Sequence, residues 1–247
     1  MSLQHIHILL LHARDAHDPM IEHERACFVA RSGLQDAQFE SANLPTALPT
    51  PAQLARADAI MMGGSGDYSV VTKGYDWYEP MLELMTQVAQ GQTPCFASCF
   101  GFQVLVQALG GQVEKKPACA ELGTFEMTLS ERGEQDDVFG KLPRTFWAQL
   151  GHNDSATQLG DGVVNLASSQ RCPHQAIRVE GRPVWATQFH PELTDQDNIT
   201  RYVRYLEAYR DPSMTMEQAK AHAHELHRPS PWSNGLIRTF LEVCFGA

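Results

Sequence analysis

The feature that most constrains the fold is an apolar run that ends in a cysteine and continues directly into a helical pattern. The run covers residues 94–98, Cys99 follows it, and a helix is predicted from about Gly101 to Leu109. A nucleophile on a sharp strand-to-helix turn has a strained backbone and needs small neighbours, which Ala97 and Gly101 provide. Because such a turn lies at the carboxyl edge of a sheet, the stretch predicts an α/β sheet with a cysteine at that edge.

The two cysteines of this stretch receive different interpretations. Cys95 lies inside the apolar run, where a cysteine most often contributes to packing. Cys99 precedes the predicted helix, whose free N–H groups and positive dipole end favour a thiolate. We therefore interpret Cys95 as a core residue and Cys99 as a candidate nucleophile that requires partners elsewhere in the chain.

Strand and helix patterns alternate before residue 111, which predicts a doubly wound, mostly parallel sheet of flavodoxin-like form. Strands are predicted at residues 5–12, 37–44, 57–62 and 94–99, and helices at residues 18–31, 77–90 and 101–109. Pro45, Pro49 and Pro51 predict a loop between the second and third strands.

The second half of the chain is rich in predicted strands. Short strands that return to the sheet are predicted at residues 113–118, 123–130, 145–150, 163–168, 176–180 and 183–189. Helices are predicted at residues 197–209, 216–227 and 235–245, with breaks at residues 211–212 and 229–231. We predict one domain over residues 1–195 and a helical C-terminal extension over residues 196–247 that packs on it.

The composition excludes several classes of protein. The chain has 247 residues, a formal net charge of -10 and 43% hydrophobic residues, which predicts a soluble globular protein that binds neither nucleic acid nor a membrane. Its 6 cysteines are scattered and form no C-x-x-C pair, so we expect reduced thiols and no structural zinc. The first residues lack the pattern of a signal peptide, which predicts a cytoplasmic location.

Two further motifs predict no cofactor or metal. The glycine-rich residues 63–69 lack the lysine of a phosphate loop and the frame of a dinucleotide fingerprint. His222, His224 and His227 do not have the H-E-x-x-H spacing of a zinc site. We interpret these histidines as part of a solvated helix.

A cysteine nucleophile needs a base, and the base needs a third group that fixes its tautomer. The segment Gln188-Phe189-His190-Pro191-Glu192 ends a predicted strand, so His190 falls at the sheet edge. Pro191 breaks the strand and allows Glu192 to fold back towards the imidazole. His190 and Glu192 are therefore the candidate pair that would complete a catalytic triad with Cys99.

Four segments, in one order along the chain, resemble class I glutamine amidotransferase domains. Residues 99–103 match the C-x-G-x-Q motif of that family, and residues 188–192 match its Q-F-H-P-E motif. Residues 62–65 resemble its oxyanion loop, and residues 152–155 resemble its H-x-D-x segment. The resemblance covers about residues 5–195. Two positions depart from the family pattern: Ala97 stands where glycine is usual, and Ser65 where proline is common.

The resemblance implies roles for further residues. Cys99 attacks the side-chain amide of glutamine, and the backbone N–H groups of Gly64 and Phe100 hold the oxyanion. Gln103 lies beside the bound glutamine. The segment with Gly151 and Asn153 contributes contacts to the α-amino and α-carboxylate groups.

The implied function is release of ammonia from L-glutamine through a cysteine thioester, without a cofactor. Since the family normally passes ammonia to a synthetase, the implied partner is a separate synthetase subunit. The alternative is a γ-glutamyl peptidase or another γ-glutamyl amide hydrolase that uses the same triad. A third interpretation, a regulatory module without activity, is disfavoured by the intact Cys99, His190 and Glu192.

Overall fold

A computed structural model describes residues 3–206 and 213–246, which fold around one large mixed sheet. The strands of these residues are β1 (Ile8–Ala13), β2 (Phe39–Asn43), β3 (Ala59–Ser65), β4 (Cys95–Ser98), β5 (Gln112–Lys115), β6 (Glu121–Leu129), β7 (Thr145–His152), β8 (Asp154–Gln158), β9 (Val163–Ser169), β10 (Ala176–Val179) and β11 (Val184–Thr187). Their α-helices are α1 (Met20–Ser32), α2 (Pro51–Arg56), α3 (Tyr78–Gln90), α4 (Phe100–Ala108), α5 (Glu131–Glu134), α6 (Asp195–Arg204), α7 (Met216–Leu226), α8 (Pro231–Asn234) and α9 (Leu236–Phe245).

The large sheet has nine strands in the order β2-β1-β3-β4-β11-β10-β9-β6-β7. The first five of these run parallel, and the remaining four continue the sheet in antiparallel pairs. The predicted α/β class is confirmed. Since β4 and β11 are parallel neighbours with Ser98 opposite Thr187, the residues that follow both strands meet at one edge.

Apolar side chains cover both faces of the sheet, as the near-continuous apolar runs of β1 and β4 predict. On one face, Leu9, Met62 and Ala97 pack with residues of α3 and α4. On the other face, Phe96 and Trp185 pack with residues of α1 and α9. The parallel region is therefore doubly wound, with Cys99 at its carboxyl edge.

The predicted loop through Pro45, Pro49 and Pro51 is wrong in its last part, because α2 begins at Pro51. Thr50 caps this helix by accepting a hydrogen bond from the backbone N–H of Gln53, whose side chain binds back to Thr50. Proline is compatible with the first helical position, where its missing N–H would have no partner. Here Pro51 starts a helix that a count of prolines alone interprets as a loop.

The strand predicted at residues 113–118 does not return to the large sheet. It corresponds to β5, which pairs with β8 in a separate two-stranded sheet. β8 was not among the predicted strands, since residues 154–158 carry only one aliphatic side chain, that of Ala156. This small sheet extends from the segment next to the site.

The C-terminal helices differ from prediction in detail. α6 begins at Asp195, two residues earlier than predicted, and residues 207–209 and the break at residues 211–212 lie outside the described residues. Residues 229–231 were predicted only as an interruption, but α8 begins at Pro231. Phe240 of α9 lies 5.4 Å from Phe96, measured between ring centroids, so this helix shares a core with the central sheet.

Candidate active site

Cys99 lies at the turn between β4 and α4 with a backbone that non-glycine residues rarely adopt. Its φ is 52° and its ψ is -103°. The turn is held by a 2.7 Å hydrogen bond from the Cys99 N–H to the carbonyl of Thr187. A Cβ placed on Gly101 would lie 3.0 Å from the carbonyl oxygen of Met62 and 3.1 Å from Cβ of Ala97. The missing side chain of Gly101 therefore leaves room for alanine at position 97, where the family usually has glycine.

His190 and Glu192 follow β11 and form a buried pair. The His190 N–H donates to the carbonyl of Gln149 at 2.8 Å, which fixes the backbone after the strand. Nδ1 of His190 lies 2.7 Å from Oε1 of Glu192, and both side chains are buried. Because a carboxylate only accepts hydrogen bonds, Nδ1 carries the proton and Nε2 is left for Cys99.

In this pair, each residue stabilises the charged form of the other. Burial alone would lower the pKa of His190. The Glu192 carboxylate and the Cys99 sulfur have a larger effect in the opposite direction, so the pKa is raised from 6.5 to about 9. Burial raises the pKa of Glu192, but His190 and Arg201 lower it more, so it lies below its ordinary value. The site thus favours a carboxylate beside an imidazolium at neutral pH.

Gly64 and Phe100, the predicted oxyanion residues, both lie close to Cys99. Phe100 is the first residue of α4, whose first N–H groups have no intrahelical partners. Gly64 lies near the end of β3, where an added Cβ would be 3.7 Å from Cβ of Cys99. The structure thus brings both backbones next to the sulfur.

Two cavities meet at Cys99. The acyl cavity is lined by Cys99 and Phe100, by the loop of residues 65–72 and by Gln103, Lys115 and residues 151–154. The base cavity lies on the side of His190 and includes Cys99, Leu150, Asn198, Arg201 and Tyr205. Ser65, Cys99 and Gly151 line both cavities, so Cys99 lies at their junction.

Gln103, Gly151 and Asn153, the predicted substrate contacts, all line the acyl cavity. Gln103 is also a brace, because its Nε2 donates to the carbonyl of Asp154 at 2.9 Å and to Oε1 of Gln188 at 3.1 Å. The Asp154 carboxylate accepts a hydrogen bond from the Ser69 hydroxyl. The loop of residues 65–72 and the segment of residues 151–154, which both line the acyl cavity, are therefore connected by a hydrogen bond.

A buried ionic network, which was not predicted from the sequence, lies behind His190. Glu24 of α1 lies 2.9 Å from Nη2 of Arg14 and 2.7 Å from Nδ1 of His12. Arg201 of α6 lies 3.3 Å from Oε1 of Glu192 and 3.5 Å from Oε1 of Glu24. The available signal was the pair His12 and Arg14 at the end of an apolar strand, where a polar side chain needs a buried partner.

Within the described residues, two groups of potential metal ligands contain members that already pair with one another. Glu121, His152 and Cys172 are buried together, and Nε2 of His152 lies 3.1 Å from Oε2 of Glu121. In the second group, between α1 and α6, Cys27 is buried, His23 and Asp197 are half-buried, and Nε2 of His23 lies 3.6 Å from Oδ1 of Asp197. Of the C-terminal histidines, His222 pairs with Glu225 on the surface and His227 binds the carbonyl of Ala223.

No α-helix within the described residues has both the length and the apolar character needed to cross a membrane.

Comparison with known proteins identifies a family. A family model described as glutamine amidotransferase class-I matches residues 30–206. The GMP synthase [glutamine-hydrolyzing] of Porphyromonas gingivalis is 31% identical over 151 residues, which cover 61% of this chain and 28% of that protein. One GMP synthase [glutamine-hydrolyzing] subunit of Methanocaldococcus jannaschii is 31% identical over 100 residues, or 40% of this chain and 51% of that protein. The match therefore spans between a quarter and about half of these relatives.

Two solved structures resemble almost the whole chain. A glutamine amidotransferase from Thermotoga maritima has a TM-score of 0.69 at 19% identity, and the match covers 98% of this chain and 100% of that one. A glutamine amidotransferase from Methylobacillus flagellatus has a TM-score of 0.70 at 17% identity, with 98% and 95% covered. At these identities the likeness concerns the fold.

Proposed function

Because this chain belongs to the class I glutamine amidotransferase family, we propose that it hydrolyses the side-chain amide of glutamine through a thioester on Cys99. The observation that carries the proposal is the buried hydrogen bond of 2.7 Å between Nδ1 of His190 and Oε1 of Glu192, on a histidine that faces the cysteine of the turn. A cysteine, a base and a group that orients the base are the parts that thiol-based acyl transfer requires.

In the proposed reaction, the Cys99 thiolate attacks the side-chain amide carbon, and the N–H groups of Gly64 and Phe100 bind the oxyanion. The imidazolium of His190 gives its Nε2 proton to the nitrogen that leaves as ammonia. Neutral His190 then takes a proton from water, whose hydroxide attacks the thioester. Glutamate leaves, and the thiolate and imidazolium are restored, so no cofactor enters the balance.

The acyl cavity is the proposed place for the glutamate part of the substrate. Gln103, Gly151 and Asn153 line it, and the hydrogen bond between Ser69 and Asp154 holds its two walls together. The base cavity is the proposed exit of the leaving group, since His190 faces it. That cavity favours a second candidate function, hydrolysis of γ-glutamyl amides whose amine carries a substituent.

The ammonia would pass to a separate synthetase subunit, since the relative from Methanocaldococcus jannaschii is itself one subunit of a GMP synthase. Cytoplasmic location is part of this proposal and is supported by the free thiol state of the described cysteines.

The test is release of ammonia and glutamate from free L-glutamine, beside a set of γ-glutamyl dipeptides, by wild type and by Cys99→Ala. Turnover of glutamine that is absent in Cys99→Ala supports the glutaminase. Cleavage of the dipeptides alone would replace it with the second candidate. Activity that persists in Cys99→Ala, or none in the wild type with or without candidate synthetases, would contradict the proposal.

A further inference from the structure

Arg201 contacts the catalytic pair although it lies outside all four motif segments. It belongs to α6, and its side chain is only 8% exposed. Nη1 of Arg201 lies 3.3 Å from Oε1 of Glu192 and 3.4 Å from Nδ1 of His190. A buried guanidinium at this distance acts on both members of the pair, since charges separated by a few ångströms interact strongly away from water.

The direction of the hydrogen bonds defines what Arg201 does. Nδ1 of His190 donates to Glu192, so it has no lone pair for Arg201, and Nη1 of Arg201 must also donate to Oε1 of Glu192. Oε2 of Glu192 has no hydrogen-bond partner among the described residues. The orientation of the Glu192 carboxylate therefore depends on two donors to Oε1, which are His190 and Arg201. Of these two, only His190 takes part in the proposed proton transfer.

Arg201 is itself held from behind. Oε1 of Glu24 lies 3.5 Å from its Nη2, and Glu24 is fixed in turn by Arg14 and His12. Burial raises the pKa of Glu24, but Arg14, His12 and Arg201 lower it more, well below its ordinary value. A permanently charged carboxylate in a buried site thus anchors the guanidinium between α1 and the catalytic turn.

We propose that Arg201 is a positioning residue of the active site, which holds the Glu192 carboxylate against Nδ1 of His190 and limits the positive charge that His190 can carry. The first effect fixes the tautomer that leaves Nε2 free for Cys99. The second keeps the imidazolium acidic enough to give up its proton to the leaving nitrogen. A neutral side chain at position 201 removes both effects.

The sign of the charge effect follows from all charged groups around His190. Glu192 and Cys99 favour the imidazolium. Arg201, whose Nη1 lies 3.4 Å from Nδ1 of His190, opposes it by charge repulsion, and Glu24 lies one contact further away. The other titratable groups of the base cavity are Arg14, Tyr202, Tyr205 and His227. Because Arg201 is the cation nearest to His190, its removal should raise the pH at which His190 titrates.

The experiment follows the imidazole directly, without a substrate. Histidine labelled with ¹³C at Cε1 is incorporated, the His190 resonance is assigned by its loss in His190→Gln, and its pH titration is recorded. Arg201→Met is compared with Arg201→Lys, which keeps the charge, and with Arg204→Met. Arg204 lies on the same helix with its side chain 49% exposed, so it is the matched control.

We expect Arg201→Met to raise the titration midpoint of His190 by about one pH unit. Arg201→Lys and Arg204→Met should stay within a few tenths of the wild type. Glu24→Gln should lower the midpoint, because it removes the carboxylate that partly neutralises Arg201. If Arg201→Met does not fold, Glu24→Gln is the variant that tests the proposal. An unchanged midpoint in both Arg201→Met and Glu24→Gln would overturn the proposal, as would an equal shift in Arg204→Met.

The kinetic part of the test rests on the proposed function. Arg201→Met should lower kcat for glutamine about tenfold or more with KM changed less than about threefold, since the residue orients the base and does not hold the glutamate part. A change in KM alone would overturn the positioning role. If the wild type hydrolyses no glutamine, the proposed function fails, while the titration of His190 still decides the role of Arg201.

Discussion

Gly64 and His190 lie so close together that no side chain fits between them. A Cβ built on Gly64 would lie 2.9 Å from Cε1 of His190, closer than two carbon atoms normally approach. The strand that carries the proposed oxyanion donor therefore also serves as the wall against which the proposed base rests.

Gly64→Ala is accordingly expected to displace the imidazole. A movement of about 1 Å at a reacting group can lower the rate about 10²-fold, and we expect a loss of that size in kcat for glutamine. Gly151→Ala is the comparison, because no atom lies within 4 Å of the added Cβ. Gly151 lines both cavities but an added Cβ there contacts nothing, so this variant should raise KM and lower kcat much less than Gly64→Ala does. Equal kcat in wild type and Gly64→Ala would contradict the displacement of the imidazole.

Alkylation should separate Cys99 from the other thiols. Burial raises the pKa of Cys27, Cys95 and Cys172 to about 12 and that of Cys244 to about 11, so these thiols remain protonated at neutral pH. We expect iodoacetamide at pH 7 to label Cys99 first in wild type and in Cys244→Ala. Mass spectrometry after brief exposure should find no rapid labelling in Cys99→Ala. Rapid loss of a second thiol would count against the assignment.

Glu192→Gln should change the pH dependence of stability. The pKa of folded His190, about 9, lies above the ordinary histidine value of 6.5. Its contribution to the free energy of unfolding is thus fully present below about pH 6.5 and is lost as the pH rises through about 9. Glu192→Gln removes the carboxylate that raises this pKa, so the difference between wild type and variant should be large at pH 6 and small at pH 10. Urea unfolding at both pH values measures it, and a difference that grows with pH would refute the prediction.

Phe240→Ala tests how firmly the C-terminal residues belong to the core. The ring lies 5.4 Å from Phe96 and 5.8 Å from Trp185, measured between centroids, and is fully buried. Removal of such a ring costs about 3–5 kcal/mol in the free energy of unfolding. The division into residues 1–195 and 196–247 is still a prediction. If Phe240→Ala lowers the free energy of unfolding by less than about 1 kcal/mol, the C-terminal residues form a separable extension. Val243→Ala, on an exposed part of the same helix, is the control.

The sequence predicts the parts of the site whose geometry is local. The turn at Cys99 depends on adjacent small residues, and Glu192 reaches His190 because only Pro191 separates them. The parallel pairing of β4 and β11 then brings Cys99 and His190 together. The sequence predicts only that the strand at residues 183–189 returns to the sheet, since strands and helices alternate only before residue 111. These inferences need only neighbours along the chain and one topological rule.

Arg201 and Glu24 could not be predicted in the same way. They come from α6 and α1, two helices whose exposed-looking charges meet only after the chain has folded. A charged residue on a helix is usually solvated, so its burial has no local signature. The small sheet of β5 and β8 was also not predicted. Its two strands pair with each other and carry few apolar residues, so the local sequence does not indicate that they form a separate sheet.

The contact of Phe240 with Phe96 also sets an order of events during synthesis. Phe96 belongs to the strand that ends in Cys99, and Asn234 holds the turn after His190 by donating to the carbonyls of Pro191 and Leu193 at 3.0 and 2.7 Å. A ribosome that adds residues at about 5–20 per second makes Phe240 on the order of ten seconds after Cys99. During that interval the nascent chain lacks α9, which packs on this face of the sheet, and lacks the contacts of Asn234 with the turn after His190. We therefore expect chains that end before residue 234 to be inactive and to bind chaperones, and we expect Cys99 to become reactive only after α8 and α9 have been made.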